Sequence, residues 1–457
     1  MNDVSELEPE VVIVGGGLAG LAAAWDLRDR DILVLEASDR PGGRVRTVSR
    51  GSYWANLGAH ILSPGDSLAG GLCREFDVPM RLPLGSVTAV SMNGKLMRGG
   101  RPETWPFRLA MPMPARLSMI RVGVRLRAAL GRSRRVGPAS LVAEGSSPLE
   151  SLPLDATLDG MTLADVIGPA HPQVKSLLRS SANRAGGELD TLSAQYGVES
   201  SLGAVAAQRA NIVGGTEVLI DAFAERLGRR LRLNAEVASV VLHEGHVEVH
   251  FSDAAALAVI RAKTAIIATP APIARRVMLQ MPNAKGAALD QVMYAPWIVA
   301  AIFTRESVAM PWDDLYAVAL VARHVAMAFN PANSLRGGSG RLPGGALVCY
   351  AAGDRAGELM SASDSAIADR FLTDLGSTFP GLRNVVDEIA IQRWPFGGPV
   401  SGPGRIARQP FLAQPVGRVA FAGDYILYPG LDNAVATGRA AAAHVRSYLP
   451  ESVGMGA

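Results

Sequence analysis

Val11–Val14 is an unbroken β-branched run with no polar alternation, which suits a strand buried on both faces of a parallel sheet. Gly15, Gly16 and Gly17 follow at once. Residues 18–28, rich in Ala and Leu, predict a helix, and Ile32–Leu35 predicts a second buried strand that ends at Glu36. Residues 231–241 and 245–251 alternate apolar and polar positions in the manner of a hairpin. A short apolar strand at 264–268 is closed by Thr269 and Pro270. Another at 419–422 runs into Gly423 and Asp424, and a helix over 433–448 follows. The pattern predicts an α/β chain that returns twice to the core of its first domain, with inserts between the visits.

The inserts read differently. Residues 97–136 hold ten arginines and one acid, Glu103, with Pro102, Pro106, Pro112 and Pro114 in the first half. Residues 115–130 predict a helix with Leu117, Ile120 and Val124 on one side and Arg121 and Arg125 nearby. Residues 337–345 are Gly-rich and predict a loop.

Composition narrows the class. The chain has 457 residues, 48% hydrophobic and 19% charged, which suits two folded domains. Lys plus Arg number 45 against 42 acids, a net charge of +3, too small a surplus for a nucleic-acid binder. Two distant cysteines, Cys73 and Cys349, exclude a disulfide framework and a Cys-rich zinc site, and point to a reducing, cytoplasmic setting. The first ten residues carry four acids and no Lys or Arg, unlike a secretory leader, and no run of about 18 apolar residues predicts a membrane span.

Gly15, Gly17 and Gly20 have the spacing of a dinucleotide fingerprint. The first permits the tight turn, the second admits a pyrophosphate to the backbone, and the third lets helix and strand touch. The phosphates would sit on the helix N-terminus. Glu36, 21 residues after Gly15, can accept from both ribose hydroxyls. Arg40 and Arg44 flank Gly42 and Gly43 in a second loop suited to another pyrophosphate contact.

This stretch, LEASDRPGGRVRT, resembles the FAD signature of the flavin-containing amine oxidase superfamily, which includes monoamine oxidases, protoporphyrinogen oxidases and phytoene desaturases. Asn56, Leu57, Gly58, Ala59 and His60 resemble the family's loop beside the flavin. Val213, Gly214 and Gly215 with Leu219 and Leu227 resemble its "GG…L…L" helix. Val237 matches the valine whose backbone meets the adenine, and Ala268 to Pro270 match the return strand. Trp394 and Pro399 resemble the family's pair before the last FAD segment. Gly423, Asp424, Asp432, Asn433, Ala434, Val435 and Gly438 resemble the C-terminal FAD motif, with Asp424 where the family usually has Glu. The resemblance implies that the N–H groups of this last helix stabilise the negative charge of reduced flavin.

Departures refine what the resemblance implies. No cysteine follows Cys349, so FAD is expected to be non-covalent. The family's lysine near flavin N5 would fall near Val299, and one ring of its aromatic cage near Gly430, with Tyr428 close by. Their loss favours a C–C dehydrogenation of a cyclic or carbonyl-activated substrate over amine C–N oxidation. His60, Tyr428 and Trp394 are the candidate catalytic residues, and Tyr196, Tyr294 and Tyr350 are further candidates for lining the cavity. His243, His246 and His250 resemble metal ligands on paper, but the stretch reads more simply as a turn and a strand with His243 across the turn, so no metal is expected.

The expected architecture is a discontinuous Rossmann-like FAD domain from 1–80, 206–275 and 405–457, with an inserted α+β substrate domain from 81–205 and 276–404. The expected reaction passes a hydride from an sp3 carbon of a small molecule to flavin N5, with O2 or another carrier as acceptor. A nicotinamide-dependent dehydrogenase and a non-catalytic FAD-binding partner are the alternatives. The Arg-rich segment 97–136 has three readings: a solvated surface, a peripheral membrane contact, or steering of an anionic substrate.

Overall fold

The computed structural model describes residues 8–62, 67–84, 86–135, 156–202, 209–253, 256–336 and 342–450. Val11–Val14 lies at the centre of a five-stranded parallel sheet, ordered Val419–Phe421, Thr264–Ile267, Val11–Val14, Ile32–Leu35, Leu231–Arg232. Val11 pairs with Ile32 on one side and Thr264 on the other. The run is apolar without alternation because both faces are covered. Val11 and Ile13 pack with the helices Leu18–Asp26, Glu217–Leu227 and Leu431–Arg446, while Val12 and Val14 face a three-stranded antiparallel meander. Full burial of each such side chain stabilises the fold by roughly 1.5–3 kcal/mol.

The meander is Ala235–Leu242, Val247–Asp253 and Ala256–Ala262. The expected strand over 231–241 is therefore two strands in two sheets. Asn234, in the left-handed region at φ +56°, breaks it, and its N–H donates to the Ser38 carbonyl. The third meander strand was not anticipated, and the C-terminal helix begins two residues before its expected start.

The inserts build a seven-stranded mixed sheet, ordered Val386–Pro399, Tyr294–Thr304, Gly345–Ala352, Met327–Phe329, Leu315–Leu320, Ser86–Met92, Lys95–Arg98. One face packs on helices that include Asp364–Gly376. The other packs Val299, Tyr316, Phe329 and Tyr350 against Tyr53, Ala55 and Leu57, which lead into the expected flavin loop. A separate helical cluster joins Met113–Arg135 to Leu163–Ile167, Pro172–Arg184 and Ala194–Leu202. In the first of these the buried face is Ala115, Val122, Leu126 and Ala129. The expected stripe of Leu117, Ile120 and Val124 faces solvent instead. Part of the Gly-rich loop over 337–345, residues 337–341, lies outside the described residues. Among the described residues no helix is long and apolar enough to cross a membrane.

Candidate active site and cofactor cradle

The three fingerprint glycines do three different things. Gly15 sits at φ +106°, and a Cβ there would lie 2.9 Å from the Ala268 carbonyl oxygen. A Cβ on Gly20 would lie 2.0 Å from the Gly15 carbonyl oxygen, so turn and helix are in contact. A Cβ on Gly17 would meet nothing within 4 Å, which leaves open space at the start of Leu18–Asp26. The first-turn N–H groups have no acceptor within their own helix and suit an anion there. The Gly42–Gly43 loop closes one side, with the Gly42 N–H donating to the Gly16 carbonyl at 2.8 Å.

Glu36 lies beside this space. It accepts from the Gly16 N–H at 2.7 Å through one oxygen, and from the Ser38 N–H and hydroxyl at 3.0 and 2.6 Å through the other. A carboxylate has about four acceptor positions and three are taken, so one remains for a ribose hydroxyl. The Ala235 N–H donates to the Glu36 carbonyl, which starts the strand of Val237 next to that carboxylate.

Both arginines of the loop hold protein groups. Arg40 donates to the carbonyls of Pro41, Gly43 and Val45 and lies 3.4 Å from Glu217, so it braces the loop from within. Arg44 pairs with Asp424 at 2.7 Å. Gly58 passes so close that its Cβ would lie 2.0 Å from the Arg44 carbonyl oxygen, and the neighbouring Ala59 N–H donates to that same oxygen. In the last segment the Gly423 N–H donates to Thr437 Oγ1, Asn433 Nδ2 donates to the Tyr428 carbonyl, and Val435 is buried under the helix, with Ala434 in its first turn. Asp432 turns to the Ala69 N–H at 2.8 Å, and burial raises its pKa.

FAD suits this arrangement. Open space lies at Gly17, and three buried polar atoms on the cofactor segments lack partners: Thr269 Oγ1, Tyr425 OH and Asn433 Oδ1.

His60 is the most distinctive titratable group. Its Nδ1 lies 3.1 Å from the Gly58 carbonyl, an acceptor only, so Nδ1 carries the proton and Nε2 the lone pair. Nε2 is buried and unpartnered. The ring packs edge-on against Phe329 at 4.8 Å, and burial pushes the imidazole pKa below its ordinary value. With His60, a small cavity is lined by Asn56, Asn211, Tyr316, Phe329, Pro331 and Val348. Tyr316 OH donates to Asn211 Oδ1 at 2.9 Å, and Asn211 Nδ2 has no partner.

Tyr196, Tyr294, Tyr350 and Tyr428, expected near the substrate, lie outside this small cavity. Tyr350 lies one ring away, packed between Trp297 and Phe329, and Tyr294 donates its position to the cofactor side, its OH accepting from the Ala271 N–H. Trp394 is an anchor, donating its indole N–H to the Leu57 carbonyl at 2.7 Å. Tyr428 stacks on Tyr196 with ring centroids 4.9 Å apart and planes 6° from parallel. The Arg405 guanidinium lies 4.5 Å from its ring, and burial pushes the phenol up to about 12. Val299, near which the family lysine was expected to fall, is buried between the register partners Tyr350 and Gln392. Asn211, Tyr316 and Phe329 were missed by sequence reasoning. They come from separate short strands, and nothing local distinguishes them from core residues.

Comparison with known proteins accords with this geometry. "Putative flavin-containing monoamine oxidase AofH" of Mycobacterium tuberculosis is 28% identical over 256 residues, 52% of this chain and 53% of that protein. The chain thus spans about half the length of these curated relatives. A putrescine oxidase solved with putrescine superposes at a TM-score of 0.76 with 20% identity, over 96% of this chain and 99% of its own. Cyclohexylamine oxidase from Brevibacterium oxydans superposes at 0.78 with 19% identity, over 96% and 99%. Those likenesses show the fold. The profile described as "Flavin containing amine oxidoreductase" matches residues 18–446. The chain belongs to the flavin-containing amine oxidoreductase family, with the fold of the flavin amine oxidases.

Proposed function

We propose that this protein is an FAD-dependent oxidase of small amines, acting on the C–N bond, with non-covalent FAD and dioxygen as acceptor. This reverses the preference for C–C dehydrogenation drawn from the sequence. The observation that carries it is His60: a neutral imidazole, its lone pair fixed on a buried, unpaired Nε2, with Phe329 packed against its ring. Such an acceptor takes a hydrogen bond or proton from an amine N–H, and its lowered pKa keeps it neutral near pH 7. Bound FAD supplies the two-electron acceptor for the hydride from the adjacent carbon. Beside His60, Asn211, held by Tyr316, offers its unpartnered Nδ2 as a donor at the edge of the proposed site.

A further observation supports the reading. The similar putrescine and cyclohexylamine oxidases are amine oxidases. The thiols favour non-covalent FAD: both are buried, and burial pushes that of Cys73 up to about 11. C–C dehydrogenation is the second reading, favoured by Val299 in place of the lysine. The test is anaerobic reduction of the purified flavoprotein with cyclohexylamine, putrescine and saturated cyclic ketones. Bleaching by amines alone supports the proposal; bleaching by ketones alone overturns it.

The membrane-surface reading of segment 97–136 gains support from Met113–Arg135. Met113, Leu117, Ile120 and Val124 follow one helical stripe, 40–64% exposed, with Arg116 and Arg127 along one flank and Arg121 and Arg132 along the other. An apolar stripe fringed by arginines suits an anionic lipid surface. Co-sedimentation with anionic but not neutral vesicles, lost in Leu117→Glu/Val124→Glu, is the expected result.

A further inference from the structure

We propose a divalent transition-metal site, of the zinc class, on the meander hairpin at His243, His246, Glu248 and His250. His243 lies across the turn from the second strand, as expected, and the turn itself brings it back onto His246. The His243 N–H donates to the His246 carbonyl at 2.9 Å, and the two imidazoles stack with centroids 4.5 Å apart and planes 9° from parallel. Val247, Val249 and Phe251 are fully buried, so strand alternation turns Glu248 and His250 outward. Three imidazoles therefore converge on one carboxylate. His243 Nε2 lies 3.3 Å from Glu248 Oε2, His246 Nε2 lies 3.4 Å from Oε1, and His250 Nε2 lies 3.9 Å from Oε2.

These spacings match the metal's needs. Ligand atoms about 2.0–2.1 Å from a tetrahedral zinc stand about 3.3–3.4 Å from one another. Donor atoms of His243, His246 and Glu248 all lie within 4.8 Å of each other, so side-chain movement would close them on the ion, and His250 Nε2, 3.9 Å from Glu248 Oε2, would be the fourth ligand. Imidazole donors select zinc, nickel, cobalt or copper over magnesium or calcium. The site would tie the hairpin turn to its second strand. It stands at the opposite end of Ala235–Leu242 from Glu36, away from the cofactor cradle.

One contact competes with the metal. Arg261, the register partner of Glu248, places Nη2 3.4 Å from His246 Nδ1. Coordination through Nε2 puts the proton on Nδ1, so the exposed Arg261 must turn away, and its positive charge opposes the cation. The only other charged neighbour in the turn is the exposed Glu244.

The test is calorimetric titration of tag-free, FAD-loaded protein with Zn2+ at pH 7.5. One equivalent is expected to bind with micromolar affinity. Removing two ligands in His243→Ala/His246→Ala should weaken it at least tenfold without changing the flavin spectrum, and Arg261→Ala should tighten it. Magnesium should give no heat. Absence of Zn2+ binding, or binding undiminished in the double variant, overturns the proposal. Should the double variant fail to fold, Glu248→Gln and Arg261→Ala provide the same contrast, with opposite directions expected.

Discussion

Arg44 and Asp424, 380 positions apart, meet at 2.7 Å and bind the second loop of the cofactor cradle to the segment before its last helix. Asp424 is buried and Arg44 partly buried, so removing one partner leaves the other poorly solvated. Asp424→Asn should destabilise the protein by about 1–3 kcal/mol, part of what breaking a fully buried pair costs. It should also speed loss of flavin. Thermal melts of Asp424→Asn, Arg44→Gln and the double variant check this. Additive effects would show that the pair does not act as a unit.

The fingerprint glycines should separate by phenotype. Gly17→Ala fills open space and should leave a folded protein that binds FAD about tenfold more weakly or worse. Gly20→Ala drives a Cβ into the Gly15 carbonyl and should prevent native folding. Circular dichroism with flavin titration distinguishes the two. A Gly17→Ala variant that retained full flavin affinity would count against the cradle.

His60 sets an acid limit. Burial lowers its pKa in the folded state, so between that value and about 6.5 the unfolded chain binds more protons than the folded one. Its contribution to stability is full above about pH 6.5 and declines as pH falls toward the folded pKa. His60→Gln should flatten this part of the stability profile, measured by denaturant melts across pH. On the proposed role, the same substitution lowers kcat/KM for amines by about 10²–10⁴-fold.

Lys285 is a structural cation. It is buried, and desolvation pulls its amine down to about 7. It donates to the carbonyls of Phe411, Leu412 and Gln414 at 3.2, 2.9 and 2.7 Å and lies 3.7 Å from the Phe421 ring centroid. Lys285→Met keeps the stem but leaves the end of Arg405–Ala413 without these donors. A loss of about 1–3 kcal/mol is expected, with the flavin spectrum unchanged. A variant as stable as the parent would mean that water replaces the amine.

The parallel sheet and the glycine turn were legible because their signals are local. A buried parallel strand must be apolar on both faces, and a phosphate turn needs glycine at fixed spacings, so Val11–Val14, Gly15, Gly17, Gly20 and Glu36 declare themselves within 26 residues. Amphipathic direction was less legible. Leu117, Ile120 and Val124 have helical periodicity, but so does the opposite Ala115, Val122, Leu126 face, and periodicity alone cannot say which meets the core.

By itself, the sequence determined the α/β class, the fingerprint turn and the family, each encoded in short-range patterns of residue type. Only the tertiary structure decided that Arg44 serves Asp424, that Trp394 anchors Leu57, and that Tyr196 stacks on Tyr428. It alone gathered His60, Asn211, Tyr316 and Phe329 around one cavity and turned three histidines onto Glu248. Those relationships depend on sheet register and on which polar atoms find partners once buried. Both are settled by chain segments hundreds of residues apart, beyond the reach of local periodicity.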